Sequence, residues 1–593
     1  MPLHHSRHPL PLAARRPRLA SPRRSRLAGR LGRAVGAHPP LRPLQILATL
    51  LLVCIAASPT SATRLELRHT TLELPGPAAS LLSADVDADT LPDLIVVVAS
   101  VRWEQIGIEE QVELDDESLV EGVVEVMTVV PALFDRRELF VFLARSEGGY
   151  DASLPPLELG PEVLSLERGP DPLAVVALTD AGLSRLVVDR GAGALRLEPF
   201  LVAPSVLSHS ASFLPRLDLL LDVDGDGELD LLLPSGEEHL LYRAADLRAT
   251  LGEAEGTGTA GSLPPHARLS LWEEPMPGTV RHVPLPLVRD LDGDGLPELL
   301  VRERDGDWRE VRIHRNLGEG RFADAVQPFA HWSLLDRGEV GVTFVGNLDG
   351  DRNAEVVTQL DLSDPDAGMR KSMREAKVPP MLHRVHRLDA SLLPAEAAAT
   401  EFRSLGYARA DGEGEEIPVP GGFQDLDGDG RLDLVSVTLD FSLLQAVRIL
   451  ATRSLSLGMD FHVHCQSEDG AFEAVSGLDL SGKFKLRLDD LRIGQLSQFA
   501  GDFDGDGRRD FVQMGRGRDV TIHLGRDGCR YPAAPDLTLR LDEEPKNLAL
   551  VRIDDYDGDG LSDLVVLQPR RPAEAGVTPT VTVHLYQSAG AGR

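Results

Sequence analysis

The chain has 593 residues, of which 42% are hydrophobic and 26% are charged, as in a globular protein. Acidic residues outnumber basic ones by 93 to 61, which gives a formal net charge of −32. This balance argues against a protein that binds nucleic acid or an anionic membrane, because such proteins need clustered Lys and Arg.

The N-terminal region, residues 1–62, has the organisation of an export signal. A long basic leader is followed by an uncharged stretch at 44–57 and by the small residues Ser61 and Ala62. The uncharged stretch is shorter than the ~20 residues that span a membrane. We therefore expect a signal peptide and a mature chain at 63–593 with no transmembrane segment, located extracellularly, at the cell surface or in the periplasm. The alternative is a buried helix at 44–57. A true start codon nearer Val35 would explain why the leader is long for a signal peptide.

Seven segments of the mature chain share the template D-x-D-x-D-G-x-x-D/E, far more than this composition produces by chance. We name each loop by its first residue and number its positions from 1 to 9. The acids and the one Asn at positions 1, 3, 5 and 9 are Asp85, Asp87, Asp89 and Asp93; Asp222, Asp224, Asp226 and Asp230; Asp290, Asp292, Asp294 and Glu298; Asn347, Asp349, Asp351 and Glu355; Asp425, Asp427, Asp429 and Asp433; Asp502, Asp504, Asp506 and Asp510; Asp555, Asp557, Asp559 and Asp563.

Carboxylates on alternate residues of a tight loop are the ligands that Ca²⁺ prefers, and position 7 can add a backbone carbonyl. Glycine at position 6 permits the turn in five loops, whereas loops 85 and 347 carry Thr90 and Arg352 there. We predict five to seven structural Ca²⁺ ions. The alternative is a set of solvated acidic turns, which is strongest for loops 85 and 347.

The residues after each loop distinguish this motif from an EF-hand. An EF-hand needs a bidentate Glu at position 12 and a helix after it, but position 12 is never acidic here. Short apolar runs follow instead, most of them rich in β-branched residues, and these favour a strand after each loop. Further on, several units contain a strand, a Gly turn and an aromatic residue, for example at 311–322 and 520–531.

The spacing of the loops predicts the number of repeats. The intervals after loop 222 average about 67 residues, and the interval of 137 between the first two loops is twice that length. The segment from Leu164 keeps the strand and lacks the acids, so it is expected to be a decayed unit. Eight units account for the whole mature chain, and seven remain possible if the segment at 164 is an insertion.

Loops of this kind followed by a strand, a Gly turn and Phe or Tyr resemble the FG-GAP/VCBS repeats of secreted proteins and of the integrin α-chain N-terminal propeller. The resemblance implies an all-β fold, a single β-propeller with four-stranded blades and a calcium-binding turn between the first two strands of a blade. It also implies binding or adhesion more often than catalysis. We expect seven or eight blades, eight being favoured, and an N-terminal strand that closes the last blade. Insertions are expected near 103–128, 246–269 and 361–417.

The predicted function is a binding or adhesion module for an extracellular protein or a glycan, as a monomer with no nucleic-acid partner and no enzyme activity. The alternative is a secreted lyase or hydrolase that acts on polysaccharides, although no nucleophile-elbow or zinc-protease motif is present. Cys465 and Cys529 are the two cysteines of the mature chain. They can form a disulfide or remain two buried thiols.

Overall fold

The computed structural model describes residues 65–100, 136–151, 154–170, 172–203, 205–206, 217–236, 238–257, 260–272, 283–302, 310–335, 340–363, 378–408, 421–440, 454–487, 492–494, 497–514, 517–542, 551–570 and 580–589. The chain divides into two compact units, Met1–Thr63 and Arg64–Arg593, and the second is described below. The predicted signal peptide at 1–62 and the predicted insertion at 103–128 lie outside the described residues.

In the described residues of the second unit, the regular secondary structure is β-strand except for one helix. The first half contains β1 (Glu66–Leu74), β2 (Ala78–Ala84), β3 (Asp93–Ser100), β4 (Arg136–Ala144), β5 (Tyr150–Asp151), β6 (Leu157–Leu159), β7 (Val163–Arg168), β8 (Val175–Thr179), β9 (Gly182–Asp189), β10 (Ala194–Val202), β11 (Leu220–Leu221), β12 (Asp230–Ser235), β13 (Glu238–Tyr242), helix α1 (Ala244–Thr257) and β14 (Ala267–Leu269). The second half contains β15 (Leu287–Arg289), β16 (Glu298–Val301), β17 (Arg312–His314), β18 (Val340–Gly346), β19 (Glu355–Asp361), β20 (Pro380–Arg387), β21 (Thr400–Leu405), β22 (Gly422–Gln424), β23 (Asp433–Asp440), β24 (Ser454–Gln466), β25 (Phe472–Ala474), β26 (Ser481–Arg487), β27 (Arg492–Gly494), β28 (Gln498–Phe499), β29 (Phe511–Met514), β30 (Asp519–His523), β31 (Leu537–Arg540), β32 (Val551–Asp554), β33 (Asp563–Pro569) and β34 (Val581–Ala589).

These strands form eight antiparallel sheets, which are the blades of a propeller. In chain order the blades are β2–β6, β7–β10, β11–β14, β15–β17, β18–β21, β22–β27, β28–β31 and, for blade 8, β32–β34 with β1. Blade 8 joins the two ends of the described chain, since β1 pairs with β34 from Glu66 opposite Ala589 to Leu74 opposite Val581. The eight-bladed prediction is therefore confirmed, and the segment at 164 is the first strand of blade 2.

Apolar clusters between consecutive blades close the ring. Each of the eight clusters contains side chains of two neighbouring blades, and the last one joins blade 8 to blade 1. Residue pairs that share a cluster are Val97 and Val175, Leu178 and Leu231, Leu241 and Leu299, Ile313 and Val356, Val357 and Leu434, Val463 and Phe511, Ile522 and Leu564, and Val565 and Val96. Since each inner strand packs against a blade on both faces, it reads as a continuous apolar run rather than an alternating one.

Two of the segments in which insertions are predicted contain described elements of the blades. The segment 246–269 contains most of α1, and it ends with β14, the fourth strand of blade 3. Leu247 and Leu251 of α1 pack into the core beside Phe200, so this helix is part of the folded body. The segment 361–417 contains β20 and β21, the last two strands of blade 5. Buried His383 and His386 gave β20 a polar sequence, which concealed the strand.

A membrane-crossing helix is absent from the described part of the chain, because α1 is too short and too polar to span a bilayer.

A disulfide joins blades 6 and 7. Cys465 on β24 is bonded to Cys529, which follows β30, and the Cα atoms are 5.9 Å apart. Of the two possibilities that the sequence left open, the structure therefore has the disulfide.

We expect the double variant Cys465→Ser, Cys529→Ser to lose stability, because the bond closes a loop with a sequence separation of 64. The chain-entropy relation gives about 4 kcal/mol for a loop of this length. Urea unfolding under oxidising conditions measures the loss. The wild type under reducing conditions is the control and should unfold like the variant; equal stability of both proteins under oxidising conditions would contradict the expectation.

Candidate acidic-loop site

Each acidic loop connects the first two strands of its blade, as predicted. The strands that follow the loops are β3, β12, β16, β19, β23, β29 and β33, and each pairs antiparallel with the strand before the loop. An antiparallel hairpin of this kind has no second helix to move, so the loop is a fixed turn and not an EF-hand sensor.

The acid at position 1 organises the turn by accepting backbone hydrogen bonds. In loop 425, Asp425 accepts from the amides of Gly428 at 2.8 Å and Gly430 at 3.0 Å. The same pair of bonds, to positions 4 and 6, occurs in loops 222, 290, 502 and 555. The acid at position 5 accepts from the amide of position 7 in all seven loops.

The acid at position 9 is buried, with at most 1% of its surface exposed. One of its oxygens accepts from the amide of position 2 in every loop. In the five loops with Asp at position 9, the other oxygen accepts from an amide of the third strand or just after it, for example from Gln466 N to Asp433 Oδ1 at 2.8 Å. Position 9 therefore joins the loop to its own blade whether or not a cation is bound.

In four loops a side chain from outside the loop binds one oxygen of the acid at position 3. Asp557 Oδ2 accepts from Gln587 Nε2 at 2.9 Å, and Asp427 Oδ2 lies 3.6 Å from Cys465 Sγ. Arg190, Arg315 and Arg387 take this outer place in loops 85, 290 and 347. The Oδ1 atoms of Asp87, Asp292, Asp427, Asp504 and Asp557 are buried without a hydrogen-bond partner among the described residues. A buried carboxylate oxygen of this kind costs free energy unless a proton, a water molecule or a cation meets it.

Burial is the largest cause of unusual pKa values in these acids. It raises the pKa of Asp93 and Asp230 to about 6, and that of the position-9 acids in the other five loops to about 7, although the amide bonds oppose this. Burial also raises the pKa of Asp557 to about 6. The other acids of each loop raise these values further. A cation among the carboxylates would remove this repulsion.

The acids of one loop are close enough to share a single ion. In loops 85, 222, 290 and 347, three carboxylates have one oxygen each within 4.8 Å of the others. An all-oxygen set with an additional carbonyl at position 7 suits a hard cation such as Ca²⁺. In loops 290 and 347, the Oε1 atoms of Glu298 and Glu355 add a further buried oxygen with no hydrogen bond in the described region.

Glycine has two separate roles in the loops. At position 6 it adopts φ of 84° to 86° in five loops, which agrees with the reason for expecting glycine there. At position 4, where sequence reasoning missed it, glycine faces the next loop along the chain. A Cβ atom on Gly225 would lie 2.1 Å from the carbonyl oxygen of Gly295, and one on Gly428 would lie 2.4 Å from that of Gly507. The signal was visible, since six of the seven loops have Gly at position 4.

Hydrogen bonds also connect each loop to the next. The amide of position 8 donates to the position-2 carbonyl of the preceding loop from Ala354, Leu432 and Arg509. Where position 8 is proline and has no amide proton, a side chain replaces it: Asn316 Nδ2 donates to Val223 O, and Ser83 Oγ donates to Tyr556 O. The second of these bonds connects blade 8 to blade 1. The seven loops therefore form a connected series on one face of the propeller, interrupted at blade 2, which has no acidic loop.

Exchanging acids for amides in loop 425 distinguishes the carboxylates that accept buried hydrogen bonds from those that could only bind a cation. We expect Asp433→Asn to lower the free energy of unfolding in chelator by about 1–3 kcal/mol, because one buried amide loses its acceptor. Asp429→Asn, at the exposed position 5, is the matched control and should change it by less than about 0.5 kcal/mol. Urea unfolding in EDTA measures both. Equal effects of the two variants would mean that position 9 has no structural role of its own.

The comparisons with known proteins identify one repeat. A family model described as an FG-GAP-like repeat matches residues 290–358, which include loop 290 and loop 347. A search of curated proteins found no match. Among solved structures, the chain is similar to a structure of the Tc holotoxin pore from Photorhabdus luminescens, with 14% identity and a TM-score of 0.28. That alignment covers 83% of this chain and 18% of the toxin chain, so this chain spans less than a fifth of the toxin chain's length. At this TM-score the similarity indicates neither a shared fold nor a shared function.

Proposed function

We propose that this FG-GAP repeat propeller is a secreted or cell-surface binding module, for a protein or a glycan, in which calcium ions hold the acidic loops. The observation that carries the proposal is the buried, unpartnered Oδ1 atom of position 3, which recurs in five loops. In each of these five loops, a cation that meets this atom would remove the free-energy cost of leaving it buried without a partner.

The chain's own residues would hold the ion through positions 1, 3, 5 and 9 and the position-7 carbonyl. Residues such as Gln587 and Arg315 orient the position-3 carboxylate from outside, as the surroundings of metal ligands commonly do. Bound calcium would supply charge neutralisation, and the connected loops would then present one rigid face. In this proposal the ion is structural and takes part in no reaction.

The disulfide supports export, because such bonds persist in oxidising compartments. An extracellular location also supplies calcium at concentrations that weak sites need. A rigid ring suits recognition, since a preformed surface loses little entropy when a partner binds.

A glycan array and a pull-down with the mature chain, each performed with calcium and with EDTA, test the binding role. We expect a ligand that is retained with calcium and released by EDTA. The variant Asp429→Asn, which removes one calcium ligand, should reduce the retention only partly. If polysaccharides are instead cleaved, with new reducing ends or unsaturated sugars in the product, the protein is an enzyme and the proposed binding role is wrong.

A further inference from the structure

We infer that loop 347 is held closed by the guanidinium of Arg387 in place of a metal ion, so that the seven acidic loops hold at most six cations. The inference rests on the proposed binding of calcium in the other loops. Loops 290 and 347 share the acidic template, but they differ in how an arginine contacts their carboxylates.

Arg387 reaches all three carboxylates of loop 347. It ends β20 and pairs with Glu355 on β19. Its Nη2 atom lies 3.1 Å from Asp349 Oδ2 and 3.4 Å from Asp351 Oδ2, and its Nε atom lies 3.9 Å from Glu355 Oε1. The guanidinium thus contacts positions 3, 5 and 9, whose oxygens would otherwise converge on a cation.

The rest of loop 347 has lost features that a metal site needs. Position 1 is the neutral Asn347, and its Nδ2 donates to the carbonyl of Asp351. Arg352 at position 6 is outside the left-handed region that the glycines adopt. Asp349 Oδ1 accepts from the amide of Asp351 at 3.0 Å, a bond that loop 222 shares, so the contacts of Arg387 and the changes at positions 1 and 6 are what distinguish loop 347.

Loop 290 provides the contrast, because it has an arginine at the matching place. Arg315 follows His314, whose partner Leu299 is the residue after position 9 of loop 290. Arg387 likewise follows His386, whose partner Val356 is the residue after position 9 of loop 347. Its Nη2 atom lies 3.4 Å from Asp292 Oδ2 but also donates to the carbonyl of Ala390 at 2.6 Å. Asp290 keeps both amide bonds, and Asp292 Oδ1 remains unpartnered in the described region. Arg315 therefore orients one carboxylate and leaves the site open.

Loop 85 is not closed in this way, although Arg190 of blade 2 contacts both Asp87 and Asp89. Its position 1 is a carboxylate that still accepts from the amide of Thr90 at 2.8 Å. The side chain of Asp87 is 1% exposed, and its Oδ1 atom has no hydrogen bond within the described ranges. We therefore count loop 85 among the six.

Two measurements on the mature chain test the inference. Native mass spectrometry in saturating calcium should find six bound ions at most. Hydrogen exchange should show loss of protection in EDTA, by about tenfold or more, in loop 290 but not in loop 347. Seven bound ions, or equal sensitivity of the two loops to EDTA, would overturn the inference. No bound ions at all would overturn the calcium proposal, and this inference with it.

The variant Arg387→Gln should deprotect loop 347 in EDTA and in calcium alike. Arg384→Gln is the matched control, because Arg384 lies on the same strand but pairs with Glu401 instead of the loop: in calcium it should leave both the ion count and the protection of loop 347 unchanged. If both variants behave alike in calcium, Arg387 has no special role. The exchange measurement on the wild type decides the question even if Arg387→Gln fails to fold.

Discussion

Removing calcium from the mature protein should lower its melting temperature sharply. A ligand that binds only the folded state stabilises it by about 2.7 kcal/mol at 100 times its dissociation constant, and the loops provide several such sites. Without calcium the loops crowd three or four carboxylates together, and five of them contain a buried position-3 oxygen that has no partner in the described structure. Calorimetry of the same sample in calcium and in EDTA measures the difference. A melting temperature that is unchanged by EDTA would contradict calcium loading.

The difference in melting temperature between the calcium and EDTA samples should widen as the pH rises from about 5 to 8. The position-9 acids have a folded pKa of about 6 or 7, above the ordinary value of about 4 in the unfolded chain. A raised pKa means that the folded state holds protons that the unfolded state has already lost, so stability in EDTA falls as the pH rises through this range. With calcium bound the carboxylates are already ionised, and this loss should be absent. Magnesium, which needs a stricter geometry, is the control cation.

The repeat predicted the fold because it contains both halves of each hairpin. The acids mark the turn, and the apolar run marks a strand buried on both faces, so the blades could be counted even where blade 2 had lost its acids. The strands β20 and β14 were missed for a physical reason. They lie further out in their blades, where burial is partial and a polar residue such as His383 can form a hydrogen bond within the sheet, here between its Nε2 atom and Ser404 Oγ.

The surroundings of the site could not be predicted from one loop. The outer partner of position 3 is an Arg or a Gln, and in loop 425 a disulfide sulfur lies at the same place. The residues share a place in the fold rather than a chemical type, and that place depends on strand register across a turn of variable length. The pairing of Cys465 with Cys529 has the same origin, since blades 6 and 7 bring together residues that are far apart in sequence.

The contacts between loops lead to the second large expected effect, which concerns Gly428 at position 4 of loop 425. Alanine there would place Cβ 2.4 Å from the backbone oxygen of Gly507 in the next loop, at φ of 74°. A left-handed alanine costs about 1–2 kcal/mol by itself, and the clash must also move a neighbouring backbone. We expect Gly428→Ala to lower the free energy of unfolding by clearly more than this conformational cost. It should also reduce hydrogen-exchange protection in loop 502 as well as in loop 425.

Gly430, at position 6 of the same loop, is the matched control for this prediction. It has φ of 84°, and a Cβ atom added there would have no neighbouring atom within 4 Å, so Gly430→Ala should show the conformational cost alone and leave loop 502 protected. Loop 85 already has alanine at position 4, Ala88 at φ of 61°. The next blade along the chain, blade 2, has no acidic loop that Ala88 could contact. Alanine is thus present at the one position 4 that has no following loop to meet. If Gly428→Ala and Gly430→Ala have equal effects and neither reaches loop 502, the loops act independently and glycine at position 4 serves only its own turn.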